Sequence, residues 1–207
     1  MFHPRGCLVL TLILTAFTLT GCGPKDPTIE NPAIAVVRVD AKSSGRPNVA
    51  QGRGFFVSAD GLMVTSLHVI NGAQDITIIR PNGDRLFADF VQADKEADLA
   101  ILRVHAKDLP FLKLNTDDPE PGLHIRLLGT NGVVNGVFDH WENMGNDLSL
   151  SIPMFPLDAG APVIGDDGRV VGVAREPVKG NPSETIATPI MRVFKMMPAL
   201  GHGSWMQ

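Results

Sequence analysis

With 207 residues, 44% of them hydrophobic and 19% charged, the chain is long enough for one domain or for two small subdomains that share a core. Its net charge of −4, without any run of lysine and arginine, gives no footing for nucleic acid or for a polybasic membrane-binding surface. Glycine (21) and proline (16) are frequent and long helical patterns are scarce, which points to short strands joined by tight turns.

Arg5 followed by an apolar run from Cys7 to Leu19 has the form of an export signal, about a dozen apolar residues where a membrane span needs ~20. The run ends in Leu19-Thr20-Gly21-Cys22, which resembles the bacterial lipobox. The resemblance implies that residues 1–21 are a signal peptide cleaved before Cys22 and that Cys22 is lipidated, several acyl chains giving a stable membrane anchor. An ordinary cleaved signal followed by an incidental cysteine is the other reading. The implied location is the cell envelope. Gly23, in place of the aspartate that the lipoprotein pattern uses for inner-membrane retention, implies the periplasmic face of the outer membrane in a Gram-negative host. Cys7 and Cys22 are the two cysteines, so the domain beyond them is expected to stand without a disulfide. Residues 22–33 carry three prolines and read as an extended tether.

Strands are predicted over 34–39, 52–58 and 62–66, the last two joined by the Ala59-Asp60-Gly61 turn. Further strands follow over 75–80, 85–92 and 98–104, with Pro81-Asn82-Gly83-Asp84 as a strong turn signal. Six short strands in about 70 residues suffice for a small antiparallel barrel. Beyond an acidic, proline-rich connector with a short strand at 111–114, strands are predicted over 122–129, 133–138, 147–152, 162–164, 168–173 and 185–188. Residues 140–146 read as a polar loop. Pro189 suits the first turn of a helix running to about Leu200, before a tail at 201–207. The expected fold is all-β: two six-stranded antiparallel β-barrels, over 34–105 and 106–188, with a C-terminal helix.

Three segments carry candidate chemistry. His68 ends a strand in Val64-Thr65-Ser66-Leu67-His68-Val69-Ile70, and Asp98 opens one in Asp98-Leu99-Ala100-Ile101-Leu102. A tight turn follows in Pro156-Leu157-Asp158-Ala159-Gly160-Ala161-Pro162. Alone, His68 reads as a half-buried histidine and Asp98 as a strand-start residue bonding its own backbone. The order histidine, aspartate, nucleophile turn is that of chymotrypsin-type proteases. Together with Gly52-x-Gly54-Phe55, Ser58-x-Asp60-Gly61, Gly168-x-Val170-Val171-Gly172-Val173 and Ile186-Ala187-Thr188-Pro189-Ile190, the segments resemble the trypsin-like protease domain of the HtrA (Deg) family over about residues 33–200. The resemblance implies that His68 stands at the general-base position, Asp98 at the position that orients the base, and Ala159 where the nucleophilic serine belongs.

A hydroxyl attacks only when an imidazole takes its proton, and backbone N–H groups in the turn must face the developing oxyanion. Ala159 has no hydroxyl. Leu157 replaces the glycine whose N–H completes the oxyanion turn, which otherwise comprises Asp158, Ala159 and Gly160, and Ala161 replaces a second glycine. Pro153 and Pro156 each remove a backbone donor. Ser66, Ser149 and Ser151 read as ordinary strand serines. The expectation is a catalytically inactive trypsin-like lipoprotein that holds a peptide or protein segment in the inter-barrel groove by strand addition. Two alternatives stand beside it: an active serine endopeptidase with a displaced nucleophile, and an envelope scaffold that does not use the groove. No cofactor, metal or nucleic acid is expected: His105, His124 and His140 lack zinc spacing, and the Asp117-Asp118 and Asp166-Asp167 pairs read as solvated turns. Met191, Met196 and Met197 read as packing residues, and the PDZ domain common in HtrA proteins finds no room.

Overall fold

Phe55 and Phe56 are neighbours in sequence and both fully buried. Successive side chains of a strand point to opposite faces, so this strand must be covered on both sides. The computed structural model, which describes residues 31–43 and 49–197, shows how. Strands β1 (Val36–Lys42), β2 (Ala50–Phe56), β3 (Leu62–Ser66), β4 (Asp75–Ile79), β5 (Arg85–Asp94) and β6 (Leu99–Val104) close into a barrel in the order β1-β2-β3-β6-β5-β4. Phe56, Met63, Ala100 and Leu102 fill its interior with Val37 and Val39. Phe55, Val64, Leu99 and Ile101 point the other way, into a seam they share with Leu128, Ile164, Val170 and Val173.

Those partners belong to a second closed barrel, β7 (His124–Gly129), β8 (Gly132–Glu142), β9 (Asp147–Leu150), β10 (Pro162–Gly165), β11 (Val170–Val178) and β12 (Asn181–Pro189), ordered β10-β11-β12-β9-β8-β7. Its own interior is built on Phe138, Leu148, Leu150 and Val163. All strand pairings are antiparallel apart from one isolated parallel bridge, Leu114 to Val170. A buried hydroxyl fastens the seam: Thr188 Oγ1 donates to Ala97 O at 2.7 Å. The all-β, two-barrel expectation therefore holds.

Several boundaries differ from the sequence reading. Residues up to 33 read as tether, yet Asn31 caps a 3-10 turn over Pro32–Ala35 and Ala35 is fully buried. The first strand accordingly starts at Val36. Phe111–Leu114 is not a strand but a connector stitched by single bonds, Leu112 N–H to Phe56 O and Val170 N–H to Lys113 O. β8 runs on to Glu142, into the first half of the polar loop expected at 140–146, because a register shift between Phe138 and His140 keeps it paired with β9; a turn over Asn143–Gly145 then joins the two strands. Pro189 closes β12 opposite Gly172 rather than opening a helix. The helix is a short one over Met191–Met196, α2 after the single-turn α1 at Leu67–Ile70, with Val193, Met196 and Met197 buried in the seam. The signal segment, Cys22, most of the tether and the tail lie outside the described residues.

Candidate active site

α1 follows β3 directly, so His68 leaves the barrel wall just beyond the buried Thr65 and Ser66. The sequence places Asp98 at the first position of a strand. It precedes β6 instead, in a left-handed conformation with φ 53° that aspartate tolerates better than most residues. That turn throws both its carbonyl and its carboxylate back toward α1. Asp98 O accepts from Leu67 N–H at 3.0 Å, Oδ1 accepts from His68 N–H at 2.9 Å, and Oδ2 lies 2.6 Å from His68 Nδ1. The hydrogen bond with Asp98 raises the His68 pKa above its ordinary value, against the opposing effect of burial. Glu176 adds a smaller raising effect and Arg175 a lowering one. His68 is half exposed and Asp98 mostly covered.

The Ala159 turn reaches the same seam. Ala159 O accepts from Arg53 N–H at 2.7 Å, and Arg53 O accepts from Thr65 Oγ1 at 2.6 Å, two residues before α1. Gly160 has φ +87°, and a β-carbon there would stand 2.1 Å from Arg53 O and 2.9 Å from Ser66 N. Only glycine lets the turn come this close to β2 and β3. Ala159 is buried among Val69 and Ile70, next to His68 in the chain.

Pro156–Asp158 forms a single 3-10 turn. Asp158 N–H donates to Phe155 O at 2.8 Å, and the N–H of Ala159 is directed back at Pro156 O at 3.5 Å. The Asp158 carboxylate is buried and accepts from Thr130 N–H and Phe155 N–H at 2.5 and 2.9 Å. Leu157, by contrast, is exposed, and its carbonyl accepts from Thr130 Oγ1 at 3.3 Å.

These features decide what the fold is related to. The family profile of the trypsin-like peptidase domain matches residues 52–173, more than half of the chain. The chain belongs to the trypsin-like peptidase domain family. It is 30% identical over 188 residues to the mitochondrial serine protease HTRA2 of Bos taurus, covering 80% of this chain and 41% of that protein. It is 29% identical over 137 residues to a probable periplasmic serine endoprotease, DegP-like, of Halomonas elongata, covering 59% of this chain and 28% of that one. The chain thus spans well under half the length of these curated relatives. Among solved structures, the serine endoprotease from Yersinia pestis superposes with a TM-score of 0.73 at 24% identity, over 84% of this chain and 65% of the other, which speaks to fold.

Within this trypsin-like domain, Ser66 closes β3, Ser149 lies in β9 and Ser151 follows it. Ser66 Oγ donates to Ala174 O at 3.4 Å, Ser149 is fully buried in β9, and Ser151 lies on the far barrel, its N–H bonded to Val137 O. The sequence reading missed the charged residues near His68. Arg175 and Asp147 form a bidentate pair at 3.0 and 3.2 Å, with side chains only 17% and 6% exposed. A charged residue right after the otherwise apolar run Val170-Val171-Gly172-Val173-Ala174 is the signal that such a partner exists. β10 accompanies β11 only as far as Pro162 opposite Val173, and Gly160 N–H and Ala161 O then bond Ala174. From Glu176 to Val178 the ladder partners of β11 are on β12. Pro177 lies in that stretch and, lacking a donor, suits an open edge.

Proposed function

We propose that this trypsin-like domain is a pseudoprotease, held at the bacterial envelope by a lipid on Cys22, that retains a peptide-binding groove without hydrolysis. The observation that carries the reading is Ala159. In the turn that resembles the nucleophile loop, which follows the paired His68 and Asp98 in the chymotrypsin-type order, a methyl group stands where a hydroxyl is needed. The turn itself supports the same reading. An oxyanion requires N–H groups converging on one point, whereas Ala159 N–H is directed at Pro156 O. Leu157 and Pro156 stiffen the peptide that would have to rotate to free it.

His68 and Asp98 then serve as a polar wall of the groove. An extended segment would add to the open edge of β11, where Pro177 withholds one main-chain donor. The DegP-like relatives named as periplasmic support an envelope location, and the Leu19-Thr20-Gly21-Cys22 motif supports the lipid anchor. The test is labelling of the purified protein with a serine-directed fluorophosphonate, together with a casein digestion assay. Neither label nor cleavage is expected. Stoichiometric labelling of one serine, with cleavage abolished by His68→Ala, would replace this reading with an active endopeptidase.

A further inference from the structure

A second recess opens at the seam, apart from His68, Asp98 and β11. It has a volume of about 380 Å³, toward the small end of the roughly 300–1,000 Å³ typical of ligand pockets. Three arginines line it: Arg38 from β1, Arg53 from β2 and Arg80 at the end of β4. The remaining wall is largely apolar, with Val36 and Ile79 from the first barrel and Leu128 from the second. Three partly exposed guanidinium groups converge on an apolar recess, where cations with reduced hydration favour a counter-charge.

The existing counter-ions fall short of the donors. Arg38 Nη2 donates to Asp40 Oδ2 at 3.0 Å, and Arg80 Nη1 donates to Asp84 Oδ2 at 3.1 Å. Arg53 Nε donates to Thr130 Oγ1 at 3.2 Å, with Asp158 providing the nearby negative charge. These bonds leave Arg38 Nη1, both Nη groups of Arg53 and Arg80 Nη2 without an acceptor among the described residues, while the Nε–H groups of Arg38 and Arg80 are closed off from solvent and so from a ligand; Arg38 Nε lies 3.0 Å from Asp40 Oδ1. Burial lowers the Arg53 pKa below the ordinary arginine value, Asp158 opposes this, and the like charge of Arg38 adds to the lowering. A carboxylate between the guanidinium groups would take the unused donors and relieve that repulsion.

We propose that Arg38, Arg53 and Arg80 form a binding site for a peptide carboxylate joined to an apolar residue. Two features select this class over a phosphate. Arg38 and Arg80 each pair with an aspartate and Arg53 has the Asp158 charge nearby without an ion pair, so the positive charge left to the recess is small and suits one negative charge, not a dianion. The apolar wall suits an aliphatic side chain next to the carboxylate. The site does not depend on the pseudoprotease reading, because the ligand is held by the side chains of Arg38, Arg53 and Arg80 and not by His68, Asp98 or Ala159, although the Arg53 N–H and Thr130 also hold the Ala159 turn.

The test is isothermal titration of the full chain with three peptides. These are acetyl-Ala-Ala-Val-Leu with a free C-terminus, the same peptide amidated, and acetyl-Ala-Val-Glu-Leu amide. At least one carboxylate peptide is expected to bind about tenfold or more tightly than the amidated apolar peptide. Whichever binds assigns a terminal or a side-chain carboxylate as the source. Arg53→Met and Arg80→Met should each weaken the better ligand by about tenfold, while Arg85→Met, outside the recess, leaves it unchanged. Arg80 is the safer variant, since it lies at a strand end beside the partly exposed Asp84. Equal binding of the amidated peptide, no heat from either carboxylate peptide at millimolar concentration, or unchanged binding by a folded Arg80→Met variant would overturn the proposal.

Discussion

Asp98 holds His68 at two points, its Oδ2 against Nδ1 at 2.6 Å and its Oδ1 accepting the His68 backbone N–H at 2.9 Å. One carboxylate thereby fixes both the ring and the first turn of α1. The pairing raises the His68 pKa, so the folded state binds the proton more tightly than the unfolded chain. The resulting stabilisation is fully present below the unfolded value of about 6.5 and is lost as pH rises through the folded-state value. In an NMR titration, the His68 ring should titrate above the ordinary histidine value. Asp98→Asn should bring its midpoint down and flatten the pH dependence of thermal stability in that window. An unmoved midpoint in the variant would mean that Asp98 does not set the charge of the ring.

The Asp147–Arg175 pair gives a prediction about stability. Its side chains are 6% and 17% exposed, so removing Asp147 leaves a largely buried guanidinium whose one other counter-charge among the described residues is the exposed Glu176 at 3.5 Å. Asp147→Leu is expected to cost about 3–5 kcal/mol in urea denaturation, and the double variant Asp147→Leu/Arg175→Met markedly less than the sum of the two singles. Additive losses would show that the charges contribute independently.

Gly160 separates backbone strain from a clash. A β-carbon at Gly160 would lie 2.1 Å from Arg53 O, whereas one at Gly72, also in the left-handed region at φ +76°, would meet nothing within 4 Å. Gly72→Ala should cost about 1 kcal/mol, from strain alone. Gly160→Ala should cost more, because the turn must withdraw from β2 and break the Arg53 N–H bond to Ala159 O. Equal losses in thermal denaturation would show that the turn is free to move.

Much of this architecture is legible in the residues themselves. Gly61 and Gly83 mark turns that close, and the double burial of β3 and β6 follows from the unbroken apolar runs Leu62-Met63-Val64 and Leu99-Ala100-Ile101-Leu102. The order of His68, Asp98 and Ala159 carries the site. Other features depend on tertiary contacts that no local pattern records. Asp98 takes a left-handed turn because its carboxylate has a partner thirty residues upstream. Pro189 stays in β12 because Gly172 across the ladder receives it. Asp158 looks like a turn residue in sequence, and only the fold shows its carboxylate buried against Thr130 N–H. The recess of Arg38, Arg53 and Arg80 is equally illegible, since three strands and the facing barrel assemble it.

The lipid anchor calls for a test in cells. If Cys22 carries the acyl chains, the wild-type protein sediments with membranes and incorporates labelled palmitate, and Cys22→Ser does neither. Several chains give an attachment that salt does not reverse, unlike a charged surface contact. A Cys22→Ser protein still retained by membranes after a salt wash would place the anchor elsewhere.

Placing a hydroxyl at residue 159 tests whether the turn can support catalysis. Ala159→Ser supplies a nucleophile to a domain with a paired base, but it leaves the backbone N–H of residue 159 directed at Pro156 O and leaves Leu157 in the turn. Loss of one oxyanion donor costs about 10²–10³ in kcat, so the single variant should cleave casein slowly or not at all. Leu157→Gly and Ala161→Gly added to Ala159→Ser free the peptides on both sides of the serine and should raise the rate by at least that factor. The fluorophosphonate separates the two contributions, because it reports whether His68 activates the introduced hydroxyl even when turnover is slow. Labelling of the single variant without cleavage would assign the block to the oxyanion turn. Full activity from Ala159→Ser alone would show that the bond to Pro156 O opens when substrate arrives, and that the missing hydroxyl is the whole of the defect.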